Sequence, residues 1–323
     1  MWKYILSYCL FIAICFMIPS FFIDFKEVNN KEISNENKKS GDTAKNESKY
    51  MIKLLLSESK EIVELSMDDY IKGVLLGEMP ITFELEALKA QAIVARTYTM
   101  YKLKNNPKVH ENADMCDDIN CCQAYKTKEY AFASWDDEEE NAKWQKLEDA
   151  VIGTSNLIIT YSGEVIEAFF HAHSGGQTEN IKYVWGDSEI PYLKSVNGNE
   201  GEAYQDSKTF TKLEFKELIK SKVPNYDVKK SILKIEDYTG SGRVNMLKID
   251  DIEIKATELR KITGIKSTNF RIEESGDNIT FYTVGYGHGV GMSQYGANQM
   301  AKDGKSYEDI IKHYYTGVEI NKI

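Results

Sequence analysis

Residues Tyr4 to Ile23 form an almost unbroken apolar run, about long enough as a helix to cross a hydrocarbon core of roughly 30 Å. No other feature constrains folding as strongly, because such a segment leaves water for a bilayer and takes no part in a globular core. A cleaved signal peptide calls for a shorter run and small residues at the cut, whereas this one ends in Pro19, Phe21, Phe22 and Ile23. An uncleaved transmembrane signal-anchor over residues 1–25 is therefore expected. Lys3 is the only charge before it, so the positive-inside rule keeps the N-terminus in the cytoplasm. The expected location is the cell membrane, single-pass, with the body outside the cytoplasm. Residues 26–50, rich in Asn, Lys, Glu and Ser, read as a flexible tether, which leaves 51–323 as one ectodomain.

Charge then narrows the partners. A net charge of −10 and a pI near 5.2 oppose nucleic-acid binding, which needs clustered Lys and Arg to release counterions. The acidic run Asp136 to Glu140 reads as a solvated loop or helix face.

Local patterns predict an α+β body of mixed sheets and helices. Met51 to Leu56 and Glu61 to Leu65 read as two short strands around Ser57, and Ser66 with Asp69 caps a helix. Tyr70, Ile71, Val74 and Leu75 recur at helical spacing until Gly77 and Pro80 stop the helix at Glu78-Met79. A second helix is expected from Glu84 to Lys102, with Leu85, Leu88, Ala92, Ala95 and Thr99 on one buried stripe. Leu157 to Phe170 reads as a hairpin around Ser162-Gly163, delivering His171 to Gly176 into a loop. Phe210 to Ile219 and Thr257 to Ile262 read as helices and Asn278 to Val284 as a strand. After that strand come four glycines at every second position, 285 to 291, and a helix opening at Met292 to Ala297.

Glu78, at a helix end beside Met79, is placed so that desolvation can raise its pKa, as protonation of a glycosidic oxygen requires. Most glycosidases pair two carboxylates, but one suffices when the substrate supplies its own nucleophile. Arg96 falls inside the buried stripe of the second helix, where it needs either a carboxylate partner or a polar cleft. The glycine run allows a ligand to approach the backbone around His288, with Gln294 and the following helix N-terminus as donors. His288 is either a sugar contact or a packed structural residue. No acidic ribose ligand or βαβ unit follows, so this is no dinucleotide fingerprint. His110, Cys116, Cys121 and Cys122 are four soft ligands suited to a closed, structural zinc site. A disulfide from Cys116 to Cys121 or Cys122 is the alternative, and it strands one thiol.

Two stretches, Gly77 to Pro80 followed by Glu86 to Tyr98, and Gly287 to Ala297, together resemble the SpoIID/LytB family. The resemblance spans about Met51 to Thr316. It implies a lytic transglycosylase of sporulation, cutting between N-acetylmuramic acid and N-acetylglucosamine in peptide-free glycan strands of peptidoglycan. The mother-cell membrane, facing the intermembrane space, would be its site during forespore engulfment. Implied partners are a cell-wall amidase, stage II sporulation protein P, and a membrane protein, stage II sporulation protein M. By motif position the catalytic acid falls on Glu78 and an active-site arginine on Arg96. The sugar-side loop falls on His171 to Gly176 with Ser174 as a contact, and His288 and Tyr295 are cleft residues. Clostridial members resemble this chain again in holding zinc with His and Cys, although Cys121 stands where His is expected. The broader family includes amidase modifiers, so a non-catalytic glycan-binding enhancer of an amidase is the competing expectation. A zinc-dependent hydrolase would require a solvent-open metal, which clustered thiolates oppose.

Overall fold

Alternating apolar residues set the first sheet. Met51–Leu55 (β1) and Ile62–Ser66 (β2) pair antiparallel, with Ile52 and Leu54 buried. The computed structural model describes residues 50–105, 110–186, 188–222 and 233–323, so the expected anchor and all but the last residue of the tether lie outside the described residues. Among those described, no helix is long and apolar enough to cross a membrane. They form an α+β structure of eight α-helices and five small sheets.

Ser66 caps Met67–Glu78 (α1), its Oγ accepting from the Asp69 N–H at 3.1 Å, as the capping pattern predicts. Gly77 lies inside this helix. Its missing side chain serves a close approach, since a Cβ there would sit 2.9 Å from the Ala124 backbone. Leu85–Asn105 (α2) follows. The expected single stripe is too narrow: from Ala87 to Thr99 nearly every residue is buried, Lys89 excepted. A helix with small alanines on several faces admits neighbours all round, and Lys128–Phe132 (α3) is followed by Glu140–Ile152 (α4), which packs on α2. Met115–Cys116 (β3) joins β1 in parallel.

Leu157–Tyr161 (β4) and Glu164–Val165 (β5) form the expected hairpin, with Ser162 and Gly163 at φ 52° and 81°. Its second arm stops early. Phe170–His171 (β6) pairs instead, in parallel, with Met292–Ser293 (β13), and this pairing joins the two motif regions.

Between them lies a second core. Gln205–Thr211 (β7) and the strands Phe270–Ser275 (β11) and Asn278–Val284 (β12) form one sheet. Leu233–Tyr238 (β8), Val244–Ile249 (β9) and Ile252–Lys255 (β10) form another. Lys212–Lys222 (α5) and Ala256–Thr263 (α6) cover them, with Phe215, Leu247, Leu259 and Phe281 at the centre. The helix expected from Phe210 thus starts two residues late. Phe210 is taken by the ladder opposite Ile279, and reciprocal bonds between Thr211 and Glu214 reset the helix start. Gln294–Lys302 (α7) and Tyr307–Tyr314 (α8) return to the first core, and Glu319–Lys322 (β14) closes the β4 sheet.

Candidate functional site

Glu78 ends α1 because Met79 leaves the helical region and Pro80 cannot donate onward. Its carboxyl is half-buried, and Oε1 accepts the Ala124 N–H at 2.7 Å. Gly77 makes room for that strand of chain. Burial raises the Glu78 pKa above the ordinary carboxylate range, while the Ala124 N–H and the nearby Gln294 amide favour the charged form and hold the rise back. Gln294 Nε2 itself is buried and completes no hydrogen bond of normal geometry. A carboxyl with one oxygen fixed, a raised pKa and an unspent amide beside it is equipped to give and take a proton.

A second wall is made by the β6–β13 pairing, which leads directly into Gln294 at the start of α7. His171 and His173 are alternate residues of one extended segment, and both are buried. The His171 Nδ1–H donates to the Val290 carbonyl at 3.1 Å, leaving Nε2 buried and without a partner. Burial, aided by Arg243, drops the His171 pKa to about 3, so it stays neutral. His288 keeps some exposed surface; its Nδ1 accepts from the Val290 N–H at 3.1 Å, and burial holds its pKa well below the usual value. Its ring lies 5.6 Å from His171 and 4.7 Å from Trp185. Tyr295 is exposed, edge-on to Phe83 at 5.1 Å and 5.8 Å from His173.

Several sequence-based assignments change here. The four alternating glycines all have positive φ, but the close approaches they permit are to the protein itself. Cβ atoms would fall 2.8 Å from the His173 carbonyl at Gly285, 2.9 Å from His171 at Gly287, 2.7 Å from Arg243 at Gly289 and on the Phe169 carbonyl at Gly291. Gly291→Ala is expected to cost about 2 kcal/mol or more through clash and strain at φ 73°, read as a lowered denaturation midpoint. Ser174 is buried, its Oγ against Gly198 and without a hydrogen bond. It braces the loop and offers no surface to a sugar. Arg96 is fully buried and its Nη2 bonds Asp68 at 3.2 Å, with the Thr154, Val151 and Leu157 carbonyls accepting from its Nη1 and Nη2 groups and Nε left without a partner. This is the carboxylate-partner alternative, and it holds the guanidinium away from any cleft surface.

Two buried charges that shape this wall escaped the sequence reading. Glu200 accepts the Ser174 N–H and the Ser293 hydroxyl, both at 2.6 Å, tying the His-Ser-Gly loop to the start of α7. Burial would raise its pKa, but the polar groups of Ser174 and Ser293 pull it below the usual value. Within Asn197 to Glu202 it looks like a solvated loop acid. Arg243, just ahead of β9, lies under Gly289 and donates to Ser267 and to the Ser174 and Gln177 carbonyls. Only the absent side chain at Gly289 hints at a neighbour there.

The His-Cys segment gathers beside Ala124. The ligand atoms of His110, Cys116, Cys121 and Cys122 lie within 4.8 Å of one another, and the three thiols are free. His110 Nε2 is 3.6 Å from each of Cys121 and Cys122 Sγ, and those sulfurs are 3.8 Å apart. A tetrahedral zinc with Zn–S about 2.3 Å and Zn–N about 2.0 Å separates sulfurs by about 3.8 Å and nitrogen from sulfur by about 3.5 Å. A disulfide instead needs about 2.05 Å. The residues therefore fit a closed metal site.

Fold and site together define an α+β protein with a half-buried Glu78 carboxyl, its pKa raised by burial, near the start of α7. A family model described as "Stage II sporulation protein" matches residues 56–161. Stage II sporulation protein D of Bacillus subtilis is 39% identical over 268 residues, covering 82% of this chain and 77% of that protein. Its counterpart in Bacillus amyloliquefaciens is 36% identical over 281 residues, covering 85% and 80%. An amidase enhancer of Bacillus subtilis is 30% identical over 304 residues, covering 77% of this chain and 40% of that protein. The chain belongs to the SpoIID family of sporulation proteins.

Proposed function

We propose that this chain is a peptidoglycan lytic transglycosylase acting on peptide-free glycan strands, with Glu78 as acid and then base. The observation that carries the reading is the half-buried Glu78 carboxyl, its pKa raised and one oxygen fixed by Ala124. The protonated carboxyl donates to the bridging oxygen as the muramic C1–O bond breaks. The muramic 6-hydroxyl then closes on C1, returning its proton to the carboxylate. The products are a 1,6-anhydro end and a free 4-hydroxyl, with no water consumed. Gln294, buried beside Glu78, favours its carboxylate form, and His288 and Tyr295 are the side chains that keep surface for a glycan. His171 itself stays neutral on that wall.

The test is to digest denuded strands with the full-length protein and look for anhydro ends by mass spectrometry. Their appearance with the wild type and absence with Glu78→Gln is expected; equal yields from both, or none, would reject the reading. The similarity to the amidase enhancer favours one alternative, a non-catalytic glycan binder that stimulates an amidase. It predicts strand binding and amidase stimulation that survive Glu78→Gln.

The metal reading is zinc held by His110, Cys116, Cys121 and Cys122. Closed by four ligands, it would be structural and supply cross-linking rather than Lewis-acid chemistry. Chelation is expected to release close to one zinc per chain and to lower the melting temperature; unchanged melting would count against it. In the same reading the chain sits in the mother-cell membrane by its N-terminal anchor and acts with stage II sporulation proteins P and M. Co-purification of these three from sporulating cells checks that assembly.

A further inference from the structure

Trp185 keeps 49% of its surface exposed. It is not loosely held. Phe169 stacks behind it at 4.4 Å with planes 28° apart, and His288 lies 4.7 Å away. Its backbone N–H donates to the Ile181 carbonyl at 3.1 Å, at the end of the single turn Ile181–Tyr183 that Asn180 caps. That turn is anchored from below. Glu179, buried, accepts from Asn180 N–H at 2.7 Å, Thr239 Oγ1 at 2.6 Å and Ser241 Oγ at 2.7 Å. A ring with a fixed back and an open surface is an apolar platform whose ordering cost is met before any ligand arrives.

Its surroundings select what can lie on it. Trp185 adjoins the His171 end of the cleft wall through His288, while Tyr295, 44% exposed and backed by Phe83, adjoins His173. Two exposed, backed rings therefore bracket one extended segment. Between them, burial holds His171 neutral and lowers the His288 pKa as well, which suits an uncharged ring such as N-acetylglucosamine. A pyranose fits: its axial C–H face packs on an aromatic ring while its hydroxyls and acetamido group stay wet.

We propose that Trp185 is a sugar-stacking platform that binds one ring of the glycan strand beside the Glu78 site. The proposal rests on the glycan reading above and adds a residue that sets affinity for the strand. It is tested on the full-length protein with β-1,4-linked N-acetylglucosamine oligomers as a binding probe and with denuded strands as substrate. Trp185→Ala is expected to weaken oligomer binding about tenfold and to raise KM for strands by a similar factor with kcat kept. Trp185→Tyr should recover most of both, which a merely structural role at an exposed position would not require. Wild-type binding and KM in a folded Trp185→Ala protein overturn the platform. Should Trp185→Ala fail to fold, shielding of wild-type indole fluorescence from acrylamide by the oligomer supports the platform, and no shielding overturns it. A wild type that binds oligomers through Trp185 yet yields no anhydro ends removes the transglycosylase reading and leaves the platform standing. Anhydro ends with an unaltered Trp185→Ala KM do the reverse.

Discussion

Glu78→Gln is expected to lower anhydro-end formation by about 10²- to 10⁴-fold while leaving the protein at least as stable as the wild type near neutral pH. The first effect follows from losing the proton donor and acceptor. The second follows from linkage. Burial raises the Glu78 pKa, so the folded state holds this proton more tightly than the unfolded chain does. The contribution to stability is fully present below the unfolded pKa and is lost as pH rises through the folded one. Gln, never charged, escapes that loss, and its amide fills a similar volume. Melting curves of both proteins from acid to neutral pH should show the gap opening in the variant's favour as pH rises. The rate of the wild type should fall as pH climbs through the raised pKa, because the acid form is the donor. A variant that melts below the wild type at neutral pH would mean that the carboxylate is a structural partner of Ala124.

The largest stability loss is expected at Asp68→Ala. Asp68 pairs with Arg96 at 3.2 Å and accepts the Ser155 hydroxyl at 2.6 Å, and both ionic side chains are buried. Removing the carboxylate leaves a guanidinium stripped of water, costing about 3–5 kcal/mol, measurable as a drop in the urea midpoint. Burial already lowers the Arg96 pKa, with Asp68 opposing that shift. Replacing both, as Asp68→Leu with Arg96→Met, is expected to recover much of the loss, since an apolar pair fills the space without desolvation cost. The double variant should also keep activity. If it folds yet fails to cleave, Arg96 does more than brace three helices.

Local elements were the legible part of the sequence. The cap at Ser66, the stop at Pro80 and the strand at Asn278–Val284 are set by residues within a few positions of themselves, and short-range pattern finds them. Glu78, His288, Gln294 and Tyr295 could be singled out because they sit inside two recognisable stretches. The structure brings these two stretches face to face. What pattern could not carry was pairing over distance. The choice for Arg96 between a carboxylate partner and a polar cleft stayed open, and Ser174 was taken as a sugar contact from the resemblance, because nothing near them in sequence reveals Asp68 or Gly198. Glu200 and Arg243 stayed hidden for the same reason, one in a polar loop and one in the turn ahead of β9. The alternating glycines were read as marking tight backbone approach, but the approaching atoms belong to His173, His171 and Phe169, far earlier in the chain, and to Arg243.

The parallel bridge between β6 and β13 joins Phe170 to Met292 and His171 to Ser293, residues more than a hundred apart. Closing so long a loop is slow and depends on the whole intervening second core. A polypeptide still being synthesised, or clipped ahead of Ser293, would carry Glu78 at its helix end without the wall that keeps it dry. Its carboxyl would titrate like any solvated acid, so proton transfer capacity is acquired only by the finished molecule.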